Sequence, residues 1–217
     1  MGRIKVLSLD LEGTIVDTNF SYVIWEDSVP KLYAKEKGMD VDTAKAHVMS
    51  KYSEIGPERT EWYDIRYWFD FFGFKTDWKT FLETHRDQVK PFPESRETLS
   101  RLSRDYSLII ISNSSRDFID LEIKGFPEYF THIISAPTDF QTLKFPELFK
   151  RVCHDLQVKP EEVVHVGDTE RFDYTAPREA GVESYLLDRS KKRTGDHIVH
   201  DLQDFERKIR ALEKASC

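Results

Sequence analysis

The feature that most limits what this chain can fold into is a set of short, almost wholly apolar runs that stop abruptly at polar residues. Residues 4 to 9, IKVLSL, end at Asp10, with Gly13 and Thr14 following. SLIIIS, residues 107 to 112, ends at Ser112 and Asn113, and the run 162 to 166 leads into Gly167 and Asp168. Such runs suit strands buried on both faces, as in parallel sheets covered by helices. The pattern from residue 90 onward agrees. Helices are expected over 94 to 104, 115 to 123 and 146 to 156, with strands over 107 to 112, 131 to 135 and 162 to 166. A strand over 184 to 188, a short one near Ile198 and Val199, and a helix from Leu202 to Lys214 complete the series. This alternation predicts an α/β fold with a doubly wound parallel sheet. Ligands in such sheets sit beyond the carboxyl ends of the strands, where Asp10, Ser112 and Asp168 are expected.

Between the first two strands the chain shows helical pattern and no convincing strand. Helices are expected over 19 to 37, 41 to 54, 60 to 72 and 77 to 89, with breaks at Gly38, Gly56-Pro57 and Gly73 and with Asp77 as an N-cap. The sequence therefore divides into a core, residues 1 to 16 and 90 to 217, and a helical insert, residues 17 to 89. Aromatics crowd the insert, from Trp62, Tyr63, Tyr67, Trp68, Phe69, Phe71 and Phe72 to Phe74 and Trp78. Most are expected to pack the insert's own small core, because rings carry large burial energies, and one or two to face the active site.

A net charge of -7 over 217 residues disfavours a nucleic-acid binder, which needs a basic excess to neutralise phosphates. A small anionic substrate needs only a local positive site. The two cysteines, Cys153 and Cys217, supply neither a disulfide framework nor a zinc cluster, so a reducing cytoplasm fits best. The amino terminus, charged at Arg3 and Lys5, has too short an apolar run for a signal peptide or a membrane span. His197 and His200 flank Ile198-Val199 and would point to opposite faces of a strand, so both read as structural. His165 reads as a satisfied or packed residue in its buried strand.

DLEGT, Asp10 to Thr14, followed by Ile15-Val16-Asp17-Thr18, resembles the first signature of the haloacid dehalogenase-like superfamily. The resemblance makes Asp10 a nucleophile, and a carboxylate is competent toward phosphorus once the phosphate's charge is neutralised. Ser112-Asn113 matches the second signature, where a hydroxyl and the following backbone N–H hold a phosphoryl oxygen. Ser114 to Asp117 has capping-box spacing, so a helix should start there. Lys144 stands where the family carries a charge-compensating lysine, a task that suits a compact ammonium. Here the chain departs from the pattern, reading Lys144-Phe145-Pro146 instead of Lys-Pro-x-Pro, and Lys150 is the nearby rival. VVHVGDTERFD, Val163 to Asp173, matches the fourth, magnesium-binding signature. The resemblance implies a Rossmann-like core, a helical cap and Mg2+ held by Asp10, Asp168 and the main-chain carbonyl of Glu12. Asp173 would support these ligands through hydrogen bonds.

The residue two after the nucleophile separates branches of the superfamily, and here it is Glu12. A carboxyl group there can protonate the leaving oxygen and later activate water. The resemblance thus implies a magnesium-dependent phosphatase acting on a small phosphomonoester through an aspartyl-phosphate. Thr14, Ser112 and Lys144 would stabilise the transferring group. A phosphomutase differs only in what accepts the phosphoryl group. The alternatives are a 2-haloacid dehalogenase, which needs no metal, and a catalytically silent protein that binds a partner through the aromatic insert. Arg59, Arg66, Tyr22 and Trp25 are candidate leaving-group contacts, although arginines on a helical insert are more often solvated. The oligomeric state is open between monomer and homodimer.

Overall fold

The computed structural model describes residues 4–216. Arg3 and Cys217 lie outside the described residues. Six parallel strands form one sheet in the order β3-β2-β1-β4-β5-β6. They are β1 (Val6–Leu9), β2 (Ser107–Ser112), β3 (Phe130–Ser135), β4 (Val163–Gly167), β5 (Glu183–Leu187) and β6 (Ile198–Val199). Leu9 stands beside Ile110 on one side and Val166 on the other. The strand order reverses between β1 and β4, so the sheet is doubly wound and its switch point lies at the end of β1.

Side chains alternate across the sheet, as a strand period of two requires. Leu7, Leu9, Leu108, Ile110, Val164 and Val166 pack on one face with Leu99 and Leu102 of helix Ser95–Leu102 and with Phe205 and Ile209 of the C-terminal helix. Val6, Ile109 and Ile111 face the other way, onto Leu148, Phe149 and Val152 of helix Pro146–Asp155. Full burial on both faces is what removed any apolar/polar alternation from these strands.

Only helices lie between β1 and β2. Their boundaries differ from the sequence reading in informative ways. The expected helix 19 to 37 carries a wide π-turn, Val23–Ser28, between α-helical Asn19–Tyr22 and Val29–Lys37. The expected helix 60 to 72 divides into a 3₁₀ turn, Thr60–Tyr63, and an α-helix, Ile65–Phe72, because the Asp64 carboxylate accepts the Arg66 N–H at 2.8 Å and caps a new start. Asp77 caps helix Trp78–Glu83 as expected, accepting from Thr80 N at 2.9 Å. Helix Ala136–Phe140, unforeseen, starts where Ser135 Oγ accepts from Thr138 N at 3.2 Å and Pro137 presets the first turn.

This helical layer has its own apolar cluster, built on Phe20, Ile24, Val48, Tyr52, Trp68 and Phe72 and joined by Phe118 of helix Arg116–Glu122. The chain enters and leaves the layer side by side. Asp17 N donates to Lys90 O at 2.9 Å, and Phe92 N donates to Ile15 O at 3.0 Å. Among the described residues no helix is long and apolar enough to cross a membrane.

Candidate active site

A cavity of about 460 Å3 opens over the carboxyl ends of β1, β2 and β4. Asp10, Glu12, Ser112, Asn113, Lys144 and Asp168 line it from the sheet side, and Glu58 and Tyr63 line it from the helical layer. Residues 158 positions apart in sequence meet because each ends a neighbouring strand or follows one.

Lys144 is the centre of the charge arrangement. Its Nζ donates to Asp10 Oδ1 at 2.5 Å and to Asp173 Oδ1 at 2.5 Å, and all three residues are buried. Burial opposes a charged lysine, but the two carboxylates outweigh it and raise the ammonium pKa above its ordinary value. The short loop is pinned by Asn113, whose Oδ1 accepts Lys144 N at 2.8 Å. Lys150, the rival in the sequence, lies on the exposed side of helix Pro146–Asp155.

Asp173 is fully engaged. Besides Lys144 it accepts from Thr169 N at 2.9 Å, and its Oδ1 is 3.0 Å from His165 Nε2. Burial alone would raise its pKa, yet Lys144 and His165 take it down to about 2. His165 Nδ1 in turn meets Ser8 Oγ at 2.8 Å, its neighbour across the β1–β4 pairing. His165 is thus a satisfied buried residue, and it also anchors Asp173. His200 and His197 are structural, against Asp188 O and Glu183.

Around Lys144, Asp10 and Asp168 are the carboxyl groups whose ionised form the site disfavours. Burial is the main cause raising Asp10 well above the usual carboxylate range, with Lys144 opposing. Asp168 is exposed toward the cavity, and partial desolvation by the protein around it together with the Asp173 charge raises it to about 6. With all three carboxylates ionised, one ammonium would leave an uncompensated charge, and a divalent cation would neutralise it and so favour the ionised Asp10 and Asp168. One oxygen each of Asp10, Asp168 and Asp173 lie within 4.8 Å of one another, an all-oxygen set that suits a hard cation such as magnesium. Because Asp173 is spent on Lys144, His165 and Thr169, Asp10 and Asp168 are the carboxylates with capacity to spare. Two glycines make the packing possible. A Cβ on Gly13, whose φ is +74°, would lie 2.1 Å from Asp168 Oδ2, and one on Gly167 would lie 2.3 Å from Asp173 Cγ.

Glu12 occupies the opposite wall. Ser114 Oγ donates to Glu12 Oε2 at 2.9 Å, while Oε1 has no hydrogen-bond partner among the described residues. Burial raises its pKa. Behind it lies Glu122, fully buried and raised further by burial and by Glu12. Two adjacent buried carboxyl groups cannot both ionise, so the pair retains a proton. The capping-box reading of Ser114 to Asp117 is corrected here. Ser114 is spent on Glu12, and helix Arg116–Glu122 begins after Ser115 without a side-chain cap. Ser112 Oγ accepts from Ser114 N at 3.1 Å, so its own hydroxyl proton is available to the cavity it lines. Thr14 is not brought to the cavity: it is wholly buried, outside the lining, and its carbonyl is held by Arg189.

Of the arginines weighed as leaving-group contacts, Arg59 pairs with Glu61. Arg66 forms a two-pronged bridge to Asp117, both contacts at 2.8 Å, which ties the helical layer to helix Arg116–Glu122. Tyr22 and Trp25 line a second cavity, about 440 Å3, which shares Thr18 with the first. Tyr63 is one of the insert's aromatics that faces the active site, as expected of one or two of them. Sequence reasoning missed the roles of Ser114 and Glu122 and the His165–Asp173 bond, and of these only His165 gave a signal, as a polar ring in a buried strand that requires a partner.

Comparison with known proteins agrees with this geometry. The family model described as haloacid dehalogenase-like hydrolase matches residues 4–181. A glyceraldehyde 3-phosphate phosphatase from Pyrococcus furiosus is 25% identical over 93% of this chain and 91% of its own length. Among solved structures, a HAD phosphatase from Thermococcus onnurineus superposes with a TM-score of 0.83 at 22% identity, covering 94% of this chain and 97% of that one. A 2-haloacid dehalogenase from Pseudomonas syringae pv. Tomato superposes with a TM-score of 0.69 at 20% identity, covering 96% and 99%. At these identities the two structures speak for the fold alone.

Proposed function

The chain belongs to the haloacid dehalogenase-like hydrolases, and from that premise we propose that it is a magnesium-dependent phosphomonoesterase of the reducing cytoplasm. The phosphatase relative supports the reaction class. The observation that carries the reading is the shared cavity of Asp10, Asp168 and Glu12 beside the buried Lys144. A dehalogenase needs neither a second acid at position 12 nor an excess of carboxylates.

In the proposed cycle Asp10 Oδ attacks phosphorus, the P–O bond to the leaving group breaks, and Glu12 delivers its proton to the departing oxygen. Burial favours the protonated form that this step requires. Glu12 then takes a proton from water as the water attacks the aspartyl-phosphate, which restores Asp10. Lys144 balances charge on Asp10, and the Ser112 hydroxyl and Asn113 N–H hold a phosphoryl oxygen. Asp10, Asp168 and the Glu12 carbonyl are the residues that would hold Mg2+. When bound, the ion neutralises phosphate charge and aligns attacking and leaving oxygens. We further propose that residues 1 to 16 and 90 to 217 form the catalytic core and 17 to 89 a helical cap that excludes water.

Release of phosphate from p-nitrophenyl phosphate tests this. We expect turnover with magnesium, none with EDTA, and a loss of at least about 1,000-fold in Asp10→Asn, whose amide is no nucleophile. Metal-independent release of halide from a 2-haloacid would overturn the reading.

A further inference from the structure

The second cavity has no part in the chemistry above, yet it adjoins the cavity where that chemistry takes place. It is lined by Thr18, Ser21, Trp25, Glu26, Tyr52 and Trp62, among others. Thr18 belongs to both cavities, and Trp62 is followed by Tyr63 of the active-site lining. Ser21 of this lining stands one turn into the helix that leaves the shared residue Thr18. A group leaving from phosphorus past Glu12 would therefore meet this cavity first.

Its walls are selective. Trp25 stacks on Phe118, with centroids 5.3 Å apart and planes at 4°, and this holds the indole in place. Tyr52 meets Trp25 edge-on at 5.8 Å and Trp62 at 6.1 Å. Tyr52 is buried, and its hydroxyl oxygen has no hydrogen-bond partner among the described residues. That oxygen is closed off from the cavity, so Tyr52 offers a ligand its ring and not its hydroxyl. No lysine or arginine lines the cavity, and the one charged residue in the lining is acidic, Glu26. That combination suits aromatic surface and repels a second anionic group.

We propose that this cavity is the leaving-group subsite and that the substrate is the phosphomonoester of a neutral, ring-bearing alcohol whose ring packs against Trp25, Tyr52 and Trp62. The assignment rests on the phosphohydrolase reading. It sets the chain apart from enzymes whose leaving groups are short or carry a second anion.

The test compares kcat/KM, with magnesium, for 2-(4-hydroxyphenyl)ethyl phosphate, ethyl phosphate, glyceraldehyde 3-phosphate and phosphoglycolate. We expect the aryl ester to exceed each of the others at least about tenfold, mainly through KM, from burial of the ring. Ser53→Trp, at an exposed position on the rim, fills the cavity without disturbing the core and should lower the aryl-to-ethyl ratio at least about fivefold. A ratio near one, a ratio unmoved by Ser53→Trp, or a preference for either anionic ester overturns the subsite while leaving the phosphatase reading intact. Turnover of none of the four, nor of p-nitrophenyl phosphate, overturns both.

Discussion

At the scale of single residues, the site stores destabilising charge. Asp168 is raised to about 6 from an ordinary 3.8. Between those values the folded chain binds more protons than the unfolded chain, so this group's contribution to stability falls as pH rises through the window and stays low above it. Asp168→Asn removes the penalty. We expect the metal-free variant to melt about 3 °C above the parent at pH 7, from about 1 kcal/mol after solvent screening, and the difference to vanish near pH 4. Magnesium should raise the melting temperature of the parent and not of the variant, because the ion binds the folded state through Asp168. Differential scanning fluorimetry in EDTA and in magnesium, at both pH values, checks this. A variant that melts below the parent at pH 7 would show that Asp168 is not strained. Asp10, Glu12, Ser112, Lys144, Asp168 and Asp173 were legible as candidates because each sits at a strand end or at a fixed offset from one. Ser114 on Glu12, and Glu122 behind it, were not legible, because those pairings join positions with no local pattern between them.

At the scale of elements, strands were legible to within a residue or two and helices less so. β2 runs over 107 to 112 as its apolar pattern requires, since burial on both faces leaves an uninterrupted signal. The helix expected over 60 to 72 was read as continuous because its apolar period runs through, whereas Asp64 competes for the backbone and restarts it. The loop after β1 depends on a positive φ. Gly13→Ala would force a side chain both into a left-handed conformation and against Asp168 Oδ2. We expect a loss of about 2 kcal/mol in urea unfolding, and a magnesium affinity lowered at least about tenfold as Asp168 is pushed aside. Calorimetric titration of the variant with magnesium checks the second point, and unchanged affinity would mean that the loop, not the carboxylate, gives way.

At the scale of the whole molecule, the two chain crossings between core and helical layer decide how separable the parts are. The crossings pair with each other, Asp17 N to Lys90 O at 2.9 Å and Phe92 N to Ile15 O at 3.0 Å, so the ends left by excising 18 to 89 already lie side by side. A linker of a few glycines and serines should close them at little entropic cost. Both apolar clusters of the sheet draw their buried members from outside the excised segment, so the sheet keeps its core. What the excision uncovers is Phe118 and the half-buried Leu121, which pack only against the helical layer's cluster. The shortened chain should therefore fold, shown by far-ultraviolet circular dichroism and a cooperative melt, but bind a hydrophobic dye and self-associate. Phe118→Ser with Leu121→Gln should restore a monodisperse protein on size exclusion. A shortened chain without a cooperative melt, even with those two substitutions, would mean that the helical layer is part of the core's folding unit and that the proposed division at residues 17 and 89 does not describe independent domains.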